Sequence, residues 1–190
     1  MTEHAPRPEP ALWVFGYGSL LWNPGFPFVS QDLAILDGYR RSFCMWSIHH
    51  RGSEGTPGLV LALDRHDSAC CQGVAFGVAE AARADTLAGL RERELVSSAY
   101  HEIWLPVRLA DGRSVEAVTY VVDPDHRQYC GGLALERQAE VIARAHGGRG
   151  PNSEYLINTA QHLRELDIAD PDLEWLEQRV AALGGGQGTG

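Results

Sequence analysis

An α+β fold with a strongly curved or closed mixed sheet is what this 190-residue sequence predicts. Three observations lead there. The first half of the chain carries β-type segments. A single helical stretch separates them from two further strands. The last third then has helical periodicity throughout.

The first expected strand is Leu12–Phe15, a short apolar run. Gly38–Trp46 and Leu59–Leu63 follow, and then Cys71–Val78, where Val74, Phe76 and Val78 alternate with smaller residues. Glu80–Val96 has the spacing of a helix. Glu102–Leu109 and Val115–Val122 read as a strand pair joined by the turn residues Asp111 and Gly112. Three helices close the chain, over Ala134–His146, Ser153–Leu166 and Leu173–Leu183. Asn152 is placed to cap the second of these, with Pro151 before it, and Asp170 to cap the third, with Pro171 in its first position. No internal repeat or linker divides the chain, so residues 12–183 are expected to form one domain. Residues 1–11 and 184–190 are expected to be disordered tails, the first Pro-rich and the second Gly-rich.

Composition excludes several functions. The net charge is −9 and the sequence pI about 5.3, so an acidic surface argues against nucleic acid or an anionic membrane as partner. No run of 18 apolar residues is present, and the N-terminus lacks the apolar core of a signal peptide. A cytoplasmic protein is therefore expected. Cys44, Cys70, Cys71 and Cys130 have no framework spacing and read as free thiols in a reducing compartment. Cys70 and Cys71 would point to opposite faces of a strand. No metal-ligand spacing stands out, since His49 and His50 are adjacent, so no metal and no other cofactor is expected. No serine sits in a nucleophile elbow and no cysteine has an evident histidine partner.

Two features stand out against this background. The stretch WVFGYGSLLW, from Trp13 to Trp22, breaks an apolar strand at Gly16, Tyr17, Gly18 and Ser19. Glycines there permit positive φ and let a ligand approach the backbone, whose N–H groups could hold an anion or a developing oxyanion. A plain strand-to-loop turn has the same sequence. Phosphate loops are excluded, because Leu20 and Leu21 follow where lysine and serine would be needed, and Asn23-Pro24 breaks any helix. The second feature is Glu94. At about 100° per residue, Leu87, Leu90 and Glu94 fall on one stripe of the first helix, whereas Glu92 lies well round towards solvent. A carboxylate on an apolar stripe is costly unless it is paired or has work to do. Arg91, Arg93 and Arg51 are the candidate partners. Ser47, His50 and Arg51 could shape a pocket or merely a surface loop, and Arg149–Leu156 combines an N-cap with a helix start, a place for an anion or simply the cap by Asn152. His101, His126, His146 and His162 read as surface residues.

Taken in order, VFGYGSLLW (Val14–Trp22), GYRRSFCMWSIHHRG (Gly38–Gly52), TPGLVLAL (Thr56–Leu63), Arg93–Leu95 followed by Tyr100, WLPV (Trp104–Val107) and NSEYL (Asn152–Leu156) resemble the ChaC-like γ-glutamylcyclotransferases. The resemblance runs from Trp13 to about Val180. Leu59 and His49 stand where the family often has an arginine and an acidic residue. The resemblance implies a mixed α/β fold around a small β-barrel and a lyase-type reaction, the release of 5-oxoproline from a γ-glutamyl peptide. In the ChaC branch that peptide is glutathione and the second product is cysteinylglycine. By the same resemblance Glu94 is the general acid/base, and Val14, Phe15, Gly16, Tyr17, Gly18, Ser19 and Leu20 form the substrate-binding loop. Arg41, Ser47, Arg51 and Tyr155 occupy positions of pocket residues. The reaction suits a chain without a nucleophile of its own, because the substrate's α-amine attacks its own γ-carbonyl once the two are brought together. Other γ-glutamyl amino acids or amines are the alternative substrates. A non-catalytic regulator is the alternative outside enzymes. Glutathione is the expected small-molecule partner, with no nucleic acid and no membrane.

Overall fold

The computed structural model describes residues 9–185. Residues 1–8 and 186–190, where most of the two expected tails fall, lie outside the described residues. The elements in chain order are β1 (Leu12–Gly16), a 3-10 turn (Ser19–Leu21), β2 (Ser30–Ser47), β3 (Gly58–Val78) and α1 (Glu80–Glu94). They continue with β4 (Tyr100–Leu109), β5 (Ser114–Val122), α2 (Leu135–Arg144), β6 (His146–Gly147), β7 (Gly150–Pro151), α3 (Asn152–Glu165) and α4 (Pro171–Gly185). β1 to β5 close into a barrel in the order β1-β3-β2-β4-β5, and β6 and β7 form a separate two-stranded sheet. The barrel is mixed: β1 runs antiparallel to β3, with Leu12 opposite Val78 and Gly16 opposite Val74, and parallel to β5, with Trp13 opposite Ala117. This is the class that the sequence predicts. No helix among the described residues is long and apolar enough to cross a membrane.

By contacts the chain forms two compact units. The first comprises residues up to Arg40 and Arg65–Val121, and the second Arg41–Asp64 and the residues from Val122 on. In the first, Val14, Phe15, Phe76, Val78, Leu90, Val118 and Tyr120 are buried. Pairing begins ahead of β1, where the Ala11 N–H donates to the Val78 carbonyl at 2.9 Å. The β4–β5 connection turns as its sequence requires. Gly112 takes φ +88°, and the Asp111 carboxylate accepts from the Arg113 N–H at 2.9 Å. In the second unit α4 packs on both α2 and α3. Phe43, Leu59, Ile142, Leu156, Leu163 and Leu173 are fully buried there. Each such side chain is worth roughly 1.5–3 kcal/mol relative to exposure.

The structure departs from the sequence expectations in several places, among them the two-stranded β6–β7 sheet, which takes His146 from the expected helix. Leu59–Leu63 and Cys71–Val78 are one strand, β3, because the polar segment between them stays extended. Its first carboxylate, Asp64, is buried and accepts the Tyr129 hydroxyl at 3.0 and 3.2 Å. β2 starts at Ser30, eight residues before Gly38, and passes through Gly38 at φ +83°, a local irregularity that the expected strand placed at its start. The helices shift by one or two residues at most of their ends, as end fraying and capping dictate. Finally, Asn152 does not cap α3. No side-chain bond caps that helix; Asn152 is its first residue and is completely buried. Its amide instead acts like a strand partner for Leu59, accepting the Leu59 N–H at 2.7 Å and donating to the Leu59 carbonyl at 2.8 Å. Asp170 does cap α4 as expected, accepting the Leu173 N–H at 3.1 Å. Cys70 is exposed and Cys71 buried, as alternation requires, and all four cysteines are free.

The Asn152 amide yields a stability prediction. Replacing it with alanine orphans two buried backbone groups of Leu59. At roughly 1–3 kcal/mol for each unsatisfied group, the loss should exceed the roughly 1 kcal/mol of a missing helix cap. Chemical denaturation of Asn152→Ala decides between the two; a loss at or below the cap value contradicts the strand-partner role.

Candidate active site

The predicted site residues divide between the two units, and each group is coherent on its own. In the first unit β1 carries Val14, Phe15 and Gly16 into the barrel, with Val14 and Phe15 fully buried. The Phe15 carbonyl accepts the Thr119 hydroxyl at 3.2 Å. The chain then folds back through Tyr17 and Gly18 into the 3-10 turn, whose first bond runs from the Leu21 N–H to the Gly18 carbonyl at 2.9 Å. The N–H groups of Ser19 and Leu20 precede that bond and have no acceptor within the turn. Positive φ, one of the expected reasons for the two glycines, is not used at either of them. Gly16 is needed for space: an added Cβ would lie 3.0 Å from the Leu20 Cβ and 3.3 Å from the Phe76 ring. At Gly18 an added Cβ meets nothing within 4 Å. Leu20 is a buried core residue.

Glu94 is the last residue of α1, with 19% of its side chain exposed, whereas Glu92 lies on the exposed face. The helical register therefore separates the two glutamates as expected. Of the candidate arginine partners, Arg93 is the one beside it, with its Nε 3.5 Å from the Glu94 Oε1. Burial pushes the Glu94 carboxyl above its ordinary value, and the Arg93 charge opposes that shift. Its place at the helix C-terminus, where carbonyl dipoles converge, acts in the same upward direction as burial. Arg91 is turned away, making two 2.8 Å bonds to the Glu102 carboxylate, which also accepts the Tyr120 hydroxyl at 3.1 Å. Burial and the neighbouring Glu102 charge hold the Tyr120 phenol protonated far into the alkaline range. A groove of about 320 Å³ lies along α1, lined by Thr86, Leu90, Arg93 and the loop from Pro24 to Pro27, but Glu94 does not line it.

In the second unit Ser47, Arg51 and Tyr155 come together. The Ser47 hydroxyl accepts the Arg51 N–H at 3.0 Å. The Arg51 guanidinium donates to the Pro151 carbonyl at 3.2 Å and lies 5.7 Å from the centre of the Tyr155 ring. Tyr155 packs edge-on against Phe43 and accepts the Leu61 N–H with its hydroxyl at 3.3 Å. His50 lies on the same loop; its partial burial, with Arg149, His49 and Arg51 near it, lowers its pKa. Arg41 belongs to the same unit. It is buried and donates from Nε to Asp170 at 3.0 Å, tying β2 to the cap of α4. Among the described residues no group of three or more His, Cys, Asp or Glu could hold a metal ion.

The family model described as ChaC-like protein matches residues 12–183. This chain belongs to the ChaC-like family. It is 36% identical over 180 residues, 94% of its length and 77% of the other's, to a glutathione-specific γ-glutamylcyclotransferase of Escherichia coli K12. It is 35% identical over 176 residues, 90% of each chain, to glutathione-specific γ-glutamylcyclotransferase 1 of Danio rerio. A crystal structure of a yeast γ-glutamyl cyclotransferase specific to glutathione shares the fold, with a TM-score of 0.82 at 23% identity over 94% of this chain and 99% of that one.

Within this ChaC-like chain, sequence reasoning named Arg93 only as one possible partner of Glu94 and missed its other contacts. Its Nη1 donates to the Asn23 carbonyl at 2.8 Å and its Nη2 to the Ser19 hydroxyl at 2.5 Å. Sequence reasoning also missed the Arg91–Glu102–Tyr120 chain. Strand alternation gives the faces on which Glu102 and Tyr120 lie, but neither their approach to α1 nor their bond.

The raised carboxyl of Glu94 has a thermodynamic consequence. A group whose folded pKa lies above its unfolded one contributes stability below the unfolded value, about 4.5 for a glutamate. That contribution is lost as pH rises through the folded value. Glu94→Gln lacks this loss. The melting temperature of the variant minus that of the unsubstituted protein should therefore grow from acid to neutral pH. A pH-independent or shrinking difference contradicts the raised pKa.

Proposed function

We propose that this protein cleaves glutathione to 5-oxoproline and cysteinylglycine, as a glutathione-specific γ-glutamylcyclotransferase. The observation that carries the reading is family membership over residues 12–183 together with relatives at 34–36% identity that bear this activity in their names. The partly buried carboxyl of Glu94 supports catalysis over a purely regulatory role.

The substrate's α-amine nitrogen attacks its γ-carbonyl carbon, a five-membered ring closes, and the bond to the cysteine nitrogen breaks. No water is consumed. Glu94 takes the proton that the amine must lose and returns it to the departing nitrogen. Burial raises the pKa of this carboxyl and the Arg93 charge opposes the rise, the direction expected of a group that must hold a proton as well as take one. In this reading the backbone from Val14 to Leu20 binds the substrate, and its amide donors face the oxyanion of the tetrahedral intermediate. The buried side chains of Val14, Phe15 and Leu20 support that backbone from within the core. Within the second unit, Ser47, Arg51 and Tyr155 bring a guanidinium beside an aromatic ring, a grouping suited to a carboxylate. The resemblance also counts Arg41, whose Nε bonds Asp170, among the pocket residues of this unit.

Purified protein incubated with glutathione should release 5-oxoproline and cysteinylglycine in equal amounts. Glu94→Gln should lower turnover by at least the roughly 10²–10⁴-fold typical of general acid–base catalysis, and Glu92→Gln should leave it intact. Full activity of Glu94→Gln would sink the assignment. Preference for a γ-glutamyl amino acid lacking the cysteinylglycine part would move the protein to the broader substrate class.

A further inference from the structure

Three nitrogens of a single guanidinium meet three different partners beside the proposed acid/base. Arg93 donates from Nη1 to the Asn23 carbonyl at 2.8 Å and from Nη2 to the Ser19 hydroxyl at 2.5 Å, while its Nε lies 3.5 Å from the Glu94 carboxylate. Ser19 opens the 3-10 turn and Asn23 follows it, and the Asn23 N–H bonds the Ser19 carbonyl at 2.9 Å. The fork thus grips both ends of the turn that ends the glycine segment. Only a planar, multidentate cation can do this; an ammonium is a point charge with no fixed fork. We propose that Arg93 is a positioning residue, which locks the Gly16–Asn23 turn to the C-terminal end of α1 and holds the Glu94 carboxylate against it. The proposal rests on the reading of Glu94 as the acid/base.

Two consequences separate the clamp from the charge. Arg93 opposes the upward shift of Glu94, so loss of its charge should move the acidic limb of the rate profile to higher pH. The other charged or titratable groups near this carboxylate do not substitute for it. Arg91 on α1 is engaged by Glu102 on β4, and Tyr120 on β5 is neutral and bonded to that same Glu102. The turn from Gly16 to Asn23 has no charged side chain, and Tyr17 is its one titratable residue.

Turnover of glutathione and its pH profile would be measured for Arg93→Lys, Arg93→Ala, Ser19→Ala and the Ser19→Ala/Arg93→Lys double variant, with Glu94→Gln as reference. Arg93→Lys keeps the charge and should keep the acidic limb in place. Its kcat should still fall, towards the 10²-fold that small misplacement of reacting groups can cost. Arg93→Ala should show the same fall with the limb moved to higher pH. The double variant should lose little more than Arg93→Lys, because both changes break the same clamp. Full turnover in Arg93→Lys, or losses that simply multiply in the double variant, overturns the positioning role. If Arg93→Ala does not fold, the lysine and double variants decide alone. An active Glu94→Gln overturns the reading of Glu94 itself, whereas an inactive one beside a fully active Arg93→Lys overturns only the role of Arg93.

Discussion

A carboxylate removed from water must be neutralised by a cation, satisfied by donors, or allowed to keep its proton. Glu94 stands between these outcomes. Its side chain is mostly covered at the end of α1, and the nearest cation is held at 3.5 Å by bonds that direct its other nitrogens elsewhere. The second arginine of the helix, Arg91, is drawn off by Glu102. A fully paired glutamate would be locked in its charged state and useless as an acid, and an isolated one would stay protonated and fail as a base. At Glu94 burial raises the carboxyl pKa and Arg93 opposes the rise, and the proposed proton transfers depend on that balance.

The second unit solves a different problem, that of holding polar backbone in the dry interior. Leu59 and Leu61 lie at the start of β3, where side chains of α3 complete their hydrogen bonding, Asn152 for the first and the Tyr155 hydroxyl for the second. Buried polar groups of this kind stabilise only when every member is satisfied. The same helix face that satisfies the strand also presents the Tyr155 ring to Arg51. The hydroxyl bond to Leu61 and the ring contact with Arg51 therefore meet in Tyr155.

Much of this was legible in the sequence, and what escaped it did so for definite physical reasons. Short-range signals worked: the Asp111-Gly112 turn, the Asp170 cap, the alternation of Cys70 and Cys71, and the register that separates Glu94 from Glu92. Each depends on neighbours within a turn or two. Asn152 was misread because a local rule, asparagine before a helix, competes with a partner 93 residues away. β3 read as two strands because periodicity is lost where Asp64 and the residues after it turn polar, while ladder bonds carry the strand through. The grip of Arg93 on Ser19 spans 74 residues and leaves no local pattern at all. The need for glycine at Gly16 was visible, but its cause was contact with Leu20 and Phe76, not backbone conformation.

In the proposed reaction the substrate supplies its own nucleophile. The proposed reaction, with a proton shuttle, backbone donors and a folded substrate, closes the ring without water. Running the reaction with glutathione in ¹⁸O-labelled water tests this most directly, with the products followed by mass spectrometry. The prediction is unlabelled 5-oxoproline, one equivalent of cysteinylglycine and no free glutamate. Glutamate carrying ¹⁸O in its γ-carboxyl would show that water attacks the γ-carbonyl, and would contradict the account.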